Sequence, residues 1–171
     1  DIFINATVSN VDSVFLNFRF GDNMKFTSIT MLDDGNNNDG LPNDGIFGAK
    51  ISNTCNKIDF YVYAENNIAG EFSPARAAFE YYSVNVNLPV SGIVINELMS
   101  NNVSAVEDPA GETDDWIELY NSTSFYINVE DLFLSDTSTN LFKWQLPSIA
   151  IKPYGYYIIW ADEQKQEGFN H

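Results

Sequence analysis

A period of two, which is typical of a β-strand, is visible in residues 14–20, VFLNFRF, where apolar and polar side chains alternate over the second half. Residues 58–63, IDFYVY, follow the same pattern in part. The nearest helical candidate, residues 74–80, is long enough for only one turn. Further runs rich in β-branched and aromatic residues, each bounded by turn residues, occupy 26–32, 79–86, 93–99, 116–120 and 154–160. The sequence therefore predicts an all-β protein.

The arrangement of these short strands favours antiparallel sheets, as in a sandwich or a barrel. Clusters of Gly, Asn, Asp and Pro separate the runs, and no segment between them offers the long helix that a parallel crossover needs. A linker is indicated at 87–92, NLPVSG, where a strand-like stretch ends and a new apolar run begins. We therefore expect two domains, residues 1–88 and 89–171, each long enough for a modest sandwich.

The balance of charges excludes several partners. The sequence has 8 Lys and Arg residues against 24 Asp and Glu residues, which gives a net charge of −16, so nucleic acid and anionic membrane surfaces would repel the chain. No apolar run reaches the roughly 18–20 residues that a membrane-spanning helix needs. An apolar content of 44% with 15% aromatic residues is nevertheless enough to build folded cores. The sequence predicts a folded acidic protein that binds no nucleic acid and does not span a membrane.

The residue types on which most catalysis depends are scarce. Cys55 is the only cysteine and His171 the only histidine, so the sequence offers no disulfide, no Cys/His zinc cluster and no histidine-activated nucleophile. The P-loop, dinucleotide-binding and zinc-protease motifs are missing. Four carboxylates could supply a pair for glycoside hydrolysis, although in so acidic a chain a solvated face explains them better: Glu97, Asp114, Asp115 and Glu118. We therefore expect no enzymatic activity.

The most acidic segment is 33–45, DDGNNNDGLPNDG. Its glycines allow tight turns that bring carboxylates together, and oxygen ligands at this density suit Ca²⁺. The preferred ligands, at a regular spacing, are Asp34, Asp39 and Asp44, and the secondary ones are Asp33, Asn36 and Asn38. The alternative is a solvated loop whose Asp and Asn side chains hydrogen-bond to the neighbouring backbone. The spacing is not that of an EF-hand, so the sequence leaves both a structural calcium site and a metal-free loop open.

Tryptophan offers one route to a sugar-binding surface. The side chains of Trp116, Trp144 and Trp160 could stack on sugar rings where they are exposed. Each of them lies in or beside an apolar strand, however, and burial of so large a side chain in the core is the favoured interpretation.

The first half resembles a known class of module. The strings DDGNNNDGLPNDGIFGAKI (33–51), KIDFYVYAENNIAGEFSPA (57–75) and FEYYSVNV (79–86) are similar to the immunoglobulin-like β-sandwich modules of large bacterial surface and secreted proteins. The similarity covers about residues 1–88 and is most specific in the acidic loop and the aromatic strand after it. It implies an extracellular spacer or interaction module rather than an enzyme.

The second half resembles the bacterial lamin-tail domain. Its strings occur in the order of that family: INELMSNN (95–102), DDWIELYN (114–121), LSD (134–136), KWQLP (143–147) and YYIIWAD (156–162). The resemblance covers about residues 92–171 and implies an immunoglobulin-like sandwich. The whole chain is then expected to form two tandem immunoglobulin-like antiparallel β-sandwiches. Lamin-tail domains in bacteria accompany spore-coat-homology kinase-like domains, secreted nucleases and other surface proteins as accessory modules.

One departure from the family concerns the last residues. In the family the segment after the tryptophan strand continues through a His into closing strands, whereas this sequence stops at Phe169-Asn170-His171. We therefore expect an incomplete second sandwich with an open sheet edge. Either two copies associate by strand exchange through this edge, or the second half is only marginally stable.

These features together predict a non-catalytic, extracellular accessory, adhesion or structural module of a larger bacterial surface or secreted protein. The expected ligand is a protein or a glycan. The alternative is a carbohydrate-binding or accessory part of a secreted hydrolase or of a spore-coat-homology kinase-like protein.

Overall fold

The computed structural model describes residues 1–52, 54–77 and 79–162. This part of the chain contains fourteen β-strands and no helix, and every strand pair is antiparallel. The prediction of an all-β fold with antiparallel sheets is therefore confirmed. The chain divides into two units: Asp1–Phe20 with Met24–Val86 forms unit 1, and Gly21–Asn23 with the residues from Asn87 onward forms unit 2.

Unit 1 contains the first seven strands. Their bounds are β1 (Ile2–Thr7), β2 (Ser13–Arg19), β3 (Thr27–Met31), β4 (Ile46–Ile51), β5 (Lys57–Glu65), β6 (Gly70–Ser73) and β7 (Tyr82–Asn85). The larger sheet has the order β3-β2-β5-β6, and β7 pairs with the other end of β5. β1 pairs with β4 in a separate two-stranded sheet. The acidic segment 33–45 therefore connects the larger sheet to the smaller one.

The alternation in residues 14–20 and 58–63 decides which side of the larger sheet is buried. Apolar side chains from both sheets form the buried core of the unit, among them Val14, Leu16, Met31, Ile51, Ile58 and Val62. Full burial of such a side chain contributes about 1.5–3 kcal/mol. Because successive side chains of a strand point to opposite sides, Phe15 and Tyr63 lie on the outer side of this sheet.

Unit 2 contains the other seven strands. Their bounds are β8 (Ile93–Met99), β9 (Trp116–Asn121), β10 (Ile127–Asn128), β11 (Phe133–Leu134), β12 (Trp144–Gln145), β13 (Ala150–Ile151) and β14 (Tyr156–Trp160). The main sheet has the order β14-β9-β8, and β10 pairs with β13 and β11 with β12 in two short sheets. The buried core consists of Leu119, Ile127, Val129, Leu146, Ile149, Ile151 and Ile159.

A buried amide holds the end of β9. Asn121 has no exposed surface, and its Nδ2 donates to the backbone carbonyls of Phe125 at 2.8 Å, Ile151 at 3.0 Å and Lys152 at 3.2 Å. Its Oδ1 accepts from the backbone N–H of Thr123 at 3.0 Å and from the Thr123 hydroxyl at 2.7 Å. One side chain therefore joins the end of β9 to the end of β13 and the residue after it through hydrogen bonds to backbone carbonyls.

β8 is the outer strand of the main sheet of unit 2. A register shift between Ile95 and Glu97 places Ile95 opposite Leu119 and Leu98 opposite Ile117, so both apolar side chains lie on the core-facing side of the sheet. Ile95 is nevertheless 59% exposed and Leu98 64% exposed. Among the described residues β8 pairs with β9 alone. Association of two copies through this edge stays a prediction, and β8 is the strand to which it applies.

Candidate functional site

The outer side of the larger sheet in unit 1 carries an ordered set of aromatic and polar side chains, which we call the aromatic face. Directly opposed residues on antiparallel neighbours lie on the same side of a sheet. The strand register therefore defines three rows: Thr30, Phe15, Tyr63 and Phe72 in the first, Ser28, Asn17 and Tyr61 in the second, and Arg19, Asp59 and Ser83 in the third. The face thus spans β3, β2, β5, β6 and β7.

An open groove of about 290 Å³ runs over this face. It is lined by Phe15, Asn17, Ser28, Tyr61, Tyr63 and Phe72. The register explains the depression, because the small side chains of Ser28 and Asn17 lie in the row beside the large rings of Phe15 and Tyr63. The sequence order of large and small residues on β2 and β3 is therefore what shapes the groove.

The rings around the groove pack against one another. The centroids of Tyr63 and Phe72 are 4.6 Å apart, and Phe15 stacks on Tyr63 at 6.4 Å with the ring planes 20° apart. The ring centroid of Tyr61 is 6.0 Å from that of Phe72 and 5.0 Å from that of Phe26. Such pairs add about 0.5–1.5 kcal/mol beyond simple burial and restrict ring rotation. Phe72 remains 44% exposed, so part of this preorganised cluster is open to solvent.

Arg19 closes one end of the face. Its guanidinium lies over the rings of Phe26 and Tyr81, with the central carbon 4.8 Å and 4.9 Å from the two centroids. Its Nε is 3.7 Å from the Oδ2 of Asp59, a residue that is 1% exposed and also accepts a 2.6 Å hydrogen bond from the Ser83 hydroxyl. The positive charge is therefore balanced within the protein by a buried carboxylate and by cation–π contacts.

Tyr63 is oriented by a carboxylate on its own strand. Its hydroxyl donates to the Oε2 of Glu65 at 3.0 Å. This hydrogen bond, together with burial and the negative charge of Glu65, raises the pKa of Tyr63 above its usual value near 10. The phenol is therefore protonated at neutral pH, and its donor is already used inside the protein.

The acidic loop of residues 33–45 uses its carboxylates to hold its own backbone. Asp39 accepts from the backbone N–H groups of Asp34 at 2.9 Å, Gly35 at 3.1 Å and Asn37 at 3.1 Å. The other three carboxylates each accept from one or two further backbone N–H groups: Asp33 from Asp44 and Gly45, Asp34 from Asn36, and Asp44 from Leu41 and Ile46. This pattern is the one expected for the metal-free alternative, a loop closed by Asx-type turns.

The predicted calcium ligands all lie in this one loop. Within the residues that the structure describes, a set of three carboxylates whose oxygens lie within 4.8 Å of one another occurs outside the loop, in unit 2. Asn36 is bonded through its backbone N–H to Asp34, and the backbone carbonyl of Asn38 accepts from the Asn5 side chain. Structural Ca²⁺ bound by Asp33, Asp34, Asn36, Asn38, Asp39 and Asp44 stays a prediction.

Burial of Asp39 is the feature of this loop that the sequence does not reveal. Its side chain has no exposed surface. Burial alone would raise its pKa, but the backbone N–H groups of Asp34, Gly35, Asn37 and Asp39 itself outweigh that effect, and the pKa lies below its usual value of 3.8. The ionised carboxylate is therefore a structural acceptor at the centre of the loop.

A second acidic group lies in unit 2. The carboxylates of Asp108, Asp114 and Asp162 all lie within 4.8 Å of one another, and Asp108 also accepts from the backbone N–H of Glu112 at 2.7 Å. Three oxygen ligands of this kind would suit a hard cation such as Ca²⁺. The sequence alone does not reveal this group, because Asp162 is 48 residues from Asp114 and joins the other two carboxylates only through the fold.

The tryptophans and the carboxylates considered for catalysis lie in unit 2, away from the aromatic face in the sequence. Trp116 and Trp160 oppose each other on β9 and β14 and are 8% and 5% exposed, so neither is accessible to a ligand. Trp144 is half-buried against the core of the unit. Glu97 and Glu118 oppose each other on β8 and β9, where Asn96 donates to Glu118 at 2.8 Å.

Comparison of the chain with protein-family models, with curated proteins and with solved structures gives no match. None of the described residues lies in a helix that is long and apolar enough to cross a lipid bilayer. The resemblances to immunoglobulin-like and lamin-tail modules therefore stay predictions, and the function is argued from the aromatic face.

Proposed function

We propose that this chain is a non-catalytic binding module of a larger extracellular or cell-surface protein, and that its ligand binds to the aromatic face of unit 1. The proposal includes two tandem immunoglobulin-like sandwiches, of which the first presents the face. The single observation that carries it is the open groove lined by four aromatic rings and two small polar side chains.

The aromatic face has the composition of a recognition surface. Binding sites are concave, largely apolar and equipped with a few polar groups that fix orientation, and aromatic residues dominate the contacts that matter most for affinity. Here the rings are held in place by mutual packing, and Phe72 keeps 44% of its surface exposed. A ligand would therefore meet a preorganised site and lose little of its affinity to ordering the protein.

Two other roles make different predictions about this face. A structural spacer binds no ligand through this groove, so replacing the aromatic rings would change the stability of the chain and would not change any binding affinity. An accessory part of a secreted hydrolase or kinase-like protein would use the face as proposed, with the reaction carried out by another domain. The first alternative is therefore distinguished from the proposal by a binding experiment on this chain.

The experiment measures binding of the whole chain by surface plasmon resonance to immobilised polysaccharides and immobilised extracellular proteins. We expect at least one immobilised ligand to bind the native chain and to bind Phe72→Ala about 30-fold more weakly, since truncation of a hot-spot aromatic residue costs about 2 kcal/mol or more. Tyr156→Ala is the matched control, because Tyr156 is an exposed, stacked aromatic residue of unit 2. Binding that is equal in both variants, or no binding to any surface, would support the spacer.

A further inference from the structure

We infer that the ligand of the aromatic face is a neutral carbohydrate, bound by stacking of sugar rings on Tyr61 and Phe72 and by hydrogen bonds to Asn17 and Ser28. This inference rests on the proposed function, since it names the ligand of the same site. It is drawn from the chemistry of the six groove residues and from the charges around them.

The alternation of rings and polar groups fits the two sides of a sugar. One side of a pyranose ring presents C–H bonds that carry partial positive charge, and these are attracted to the negative face of an aromatic ring. The edge of the sugar presents hydroxyl groups that both donate and accept hydrogen bonds. The groove is lined by aromatic rings from β5 and β6 and has small polar side chains of β2 and β3 beside them.

The polar side chains of the groove have hydrogen-bonding capacity to offer. Within the described part of the chain, the amide of Asn17, the hydroxyl of Ser28 and the hydroxyl of Tyr61 make no hydrogen bond to another residue, whereas the hydroxyl of Tyr63 is used by Glu65. An amide donates and accepts at once, as does a hydroxyl, which matches the dual character of sugar hydroxyls. Asn17 and Ser28 are therefore the groups assigned to hydrogen-bond the sugar, and the Tyr61 hydroxyl keeps the same capacity beside its stacking ring.

Charge determines which sugars fit. All six lining residues are uncharged. Arg19, at the end of the face, is paired with buried Asp59, so it is not placed to bind a carboxylate or a sulfate on a sugar. A net charge of −16 adds repulsion against polyanions. The groove therefore favours uncharged sugars over uronates and sulfated sugars, and it contains no carboxylate that would select an amino sugar.

The size and openness of the groove are compatible with part of a sugar chain. Its volume of about 290 Å³ is just below the range of about 300–1,000 Å³ that is usual for small-ligand sites, and it is open to solvent. It therefore suits one or two sugar rings of a longer chain.

The test is affinity electrophoresis of the whole chain in native gels that contain one soluble polysaccharide each. The neutral probes are barley β-glucan, galactomannan, soluble starch and glycol chitin, the acidic probes are alginate and polygalacturonate, and chitosan is the cationic probe. We expect retardation by at least one neutral polysaccharide and by neither acidic one. Phe72→Ala should abolish the retardation, Asn17→Ala should weaken it at least about fivefold, and Tyr156→Ala should leave it unchanged.

The outcomes separate this inference from the proposed function. Retardation only by acidic or cationic polysaccharides, none by any neutral polysaccharide, or retardation that Phe72→Ala does not change would overturn the neutral-carbohydrate assignment. If Phe72→Ala still weakens binding to an immobilised protein, the proposed function stands although the carbohydrate assignment is wrong. If no binding depends on Phe72, both are wrong. Circular dichroism of each variant confirms that a loss of binding is not a loss of fold.

Discussion

Gly70 on β6 leaves the space that the ring of Tyr63 on β5 occupies. A Cβ atom at position 70 would overlap the Tyr63 hydroxyl and would lie 2.8 Å from Cε2 and Cζ of the ring. Tyr63 therefore extends towards β6, where it packs on Phe72, while its hydroxyl donates to Glu65 of its own strand. The aromatic face therefore requires glycine at position 70, because any larger residue there would displace the Tyr63 ring.

Replacing this glycine tests the arrangement of the face. Gly70→Ala should displace the Tyr63 ring, lower the free energy of unfolding by about 1–3 kcal/mol because the site becomes overpacked, and weaken ligand binding. Urea denaturation measures the first effect and the binding assay the second. Glu71→Ala, one residue along the same exposed strand, is the control and should change stability by less than about 0.5 kcal/mol. Equal stability of Gly70→Ala and the native chain would show that Tyr63 does not need the space.

The acidic loop should make unit 1 sensitive to acid through Asp39. Its pKa is lowered in the folded chain, so its stabilising contribution is fully present above the unfolded value near 3.8 and is lost as the pH falls through the folded pKa. Asp39→Asn, which places amide hydrogens against backbone N–H groups, should lower the melting temperature by roughly 5–10 °C at neutral pH. Calorimetry at about pH 7 and about pH 2 should show this difference shrinking in acid.

A matched variant distinguishes Asp39 from its neighbours in the loop. Asp34 accepts one backbone hydrogen bond, from Asn36, where Asp39 accepts from three other residues. Asp34→Asn should therefore lower the melting temperature less than Asp39→Asn. Equal effects of the two variants would contradict the central role assigned to Asp39.

Calcium binding by the same loop is tested by the melting temperature of the chain with and without Ca²⁺. An ion that binds the folded chain raises the melting temperature by mass action. The predicted site, with Asp34, Asp39 and Asp44 as main ligands, therefore requires a higher melting temperature of unit 1 in millimolar CaCl₂ than in chelator, and the difference should disappear in Asp44→Asn. Identical melting curves would contradict calcium binding and would leave the backbone hydrogen bonds as the role of these carboxylates.

The strands that the sequence predicted are those with a strong local signal. The runs 14–20, 58–63, 93–99 and 116–120 correspond to β2, β5, β8 and β9, because alternation and β-branched or aromatic content act within a single segment. β4 (Ile46–Ile51) follows the acidic loop and carries Gly48 and Ala49, which weaken that signal. The two-residue strands of unit 2, such as β10 and β13, depend on partners that are distant in the chain.

The candidate site was visible in the sequence only in part. Alternation places Phe15 beside Asn17 and Tyr61 beside Tyr63 on one side of their strands, but local pattern does not reveal which residues of other strands lie next to them. The register with β3 and β6, which brings Ser28 and Phe72 to the groove, is fixed by long-range pairing. The favoured interpretation of the tryptophans as core residues agrees with the burial of Trp116 and Trp160, which lie in apolar strands.

Asn121 is expected to be the most sensitive polar residue of unit 2. Asn121→Ala would remove the three hydrogen bonds from the buried amide to the carbonyls of Phe125, Ile151 and Lys152. The carbonyls of Phe125 and Lys152 would keep a second donor, the Thr123 hydroxyl and the Gly155 N–H respectively. The free energy of unfolding should fall by about 1–3 kcal/mol, since removing a buried hydrogen-bonding partner costs about that much. Urea denaturation followed by tryptophan fluorescence measures the change. Asn101→Ala, at an exposed position, is the control, and a similar small effect of both variants would contradict the role of the Asn121 amide.

The exposed edge of unit 2 should permit association of two copies through β8. Leu98 lies on the core-facing side of the sheet yet is 64% exposed, so pairing along this edge would remove apolar surface from water. The net charge of −16 opposes association, and added salt screens it, so sedimentation velocity should show a larger associated fraction at about 0.5 M salt than at about 0.05 M. Leu98→Ser should reduce that fraction, whereas Leu141→Ser, at an equally exposed leucine outside the strands, should not. A strict monomer at high protein concentration in both salts would contradict edge association, because screening would then have removed the repulsion without revealing any attraction.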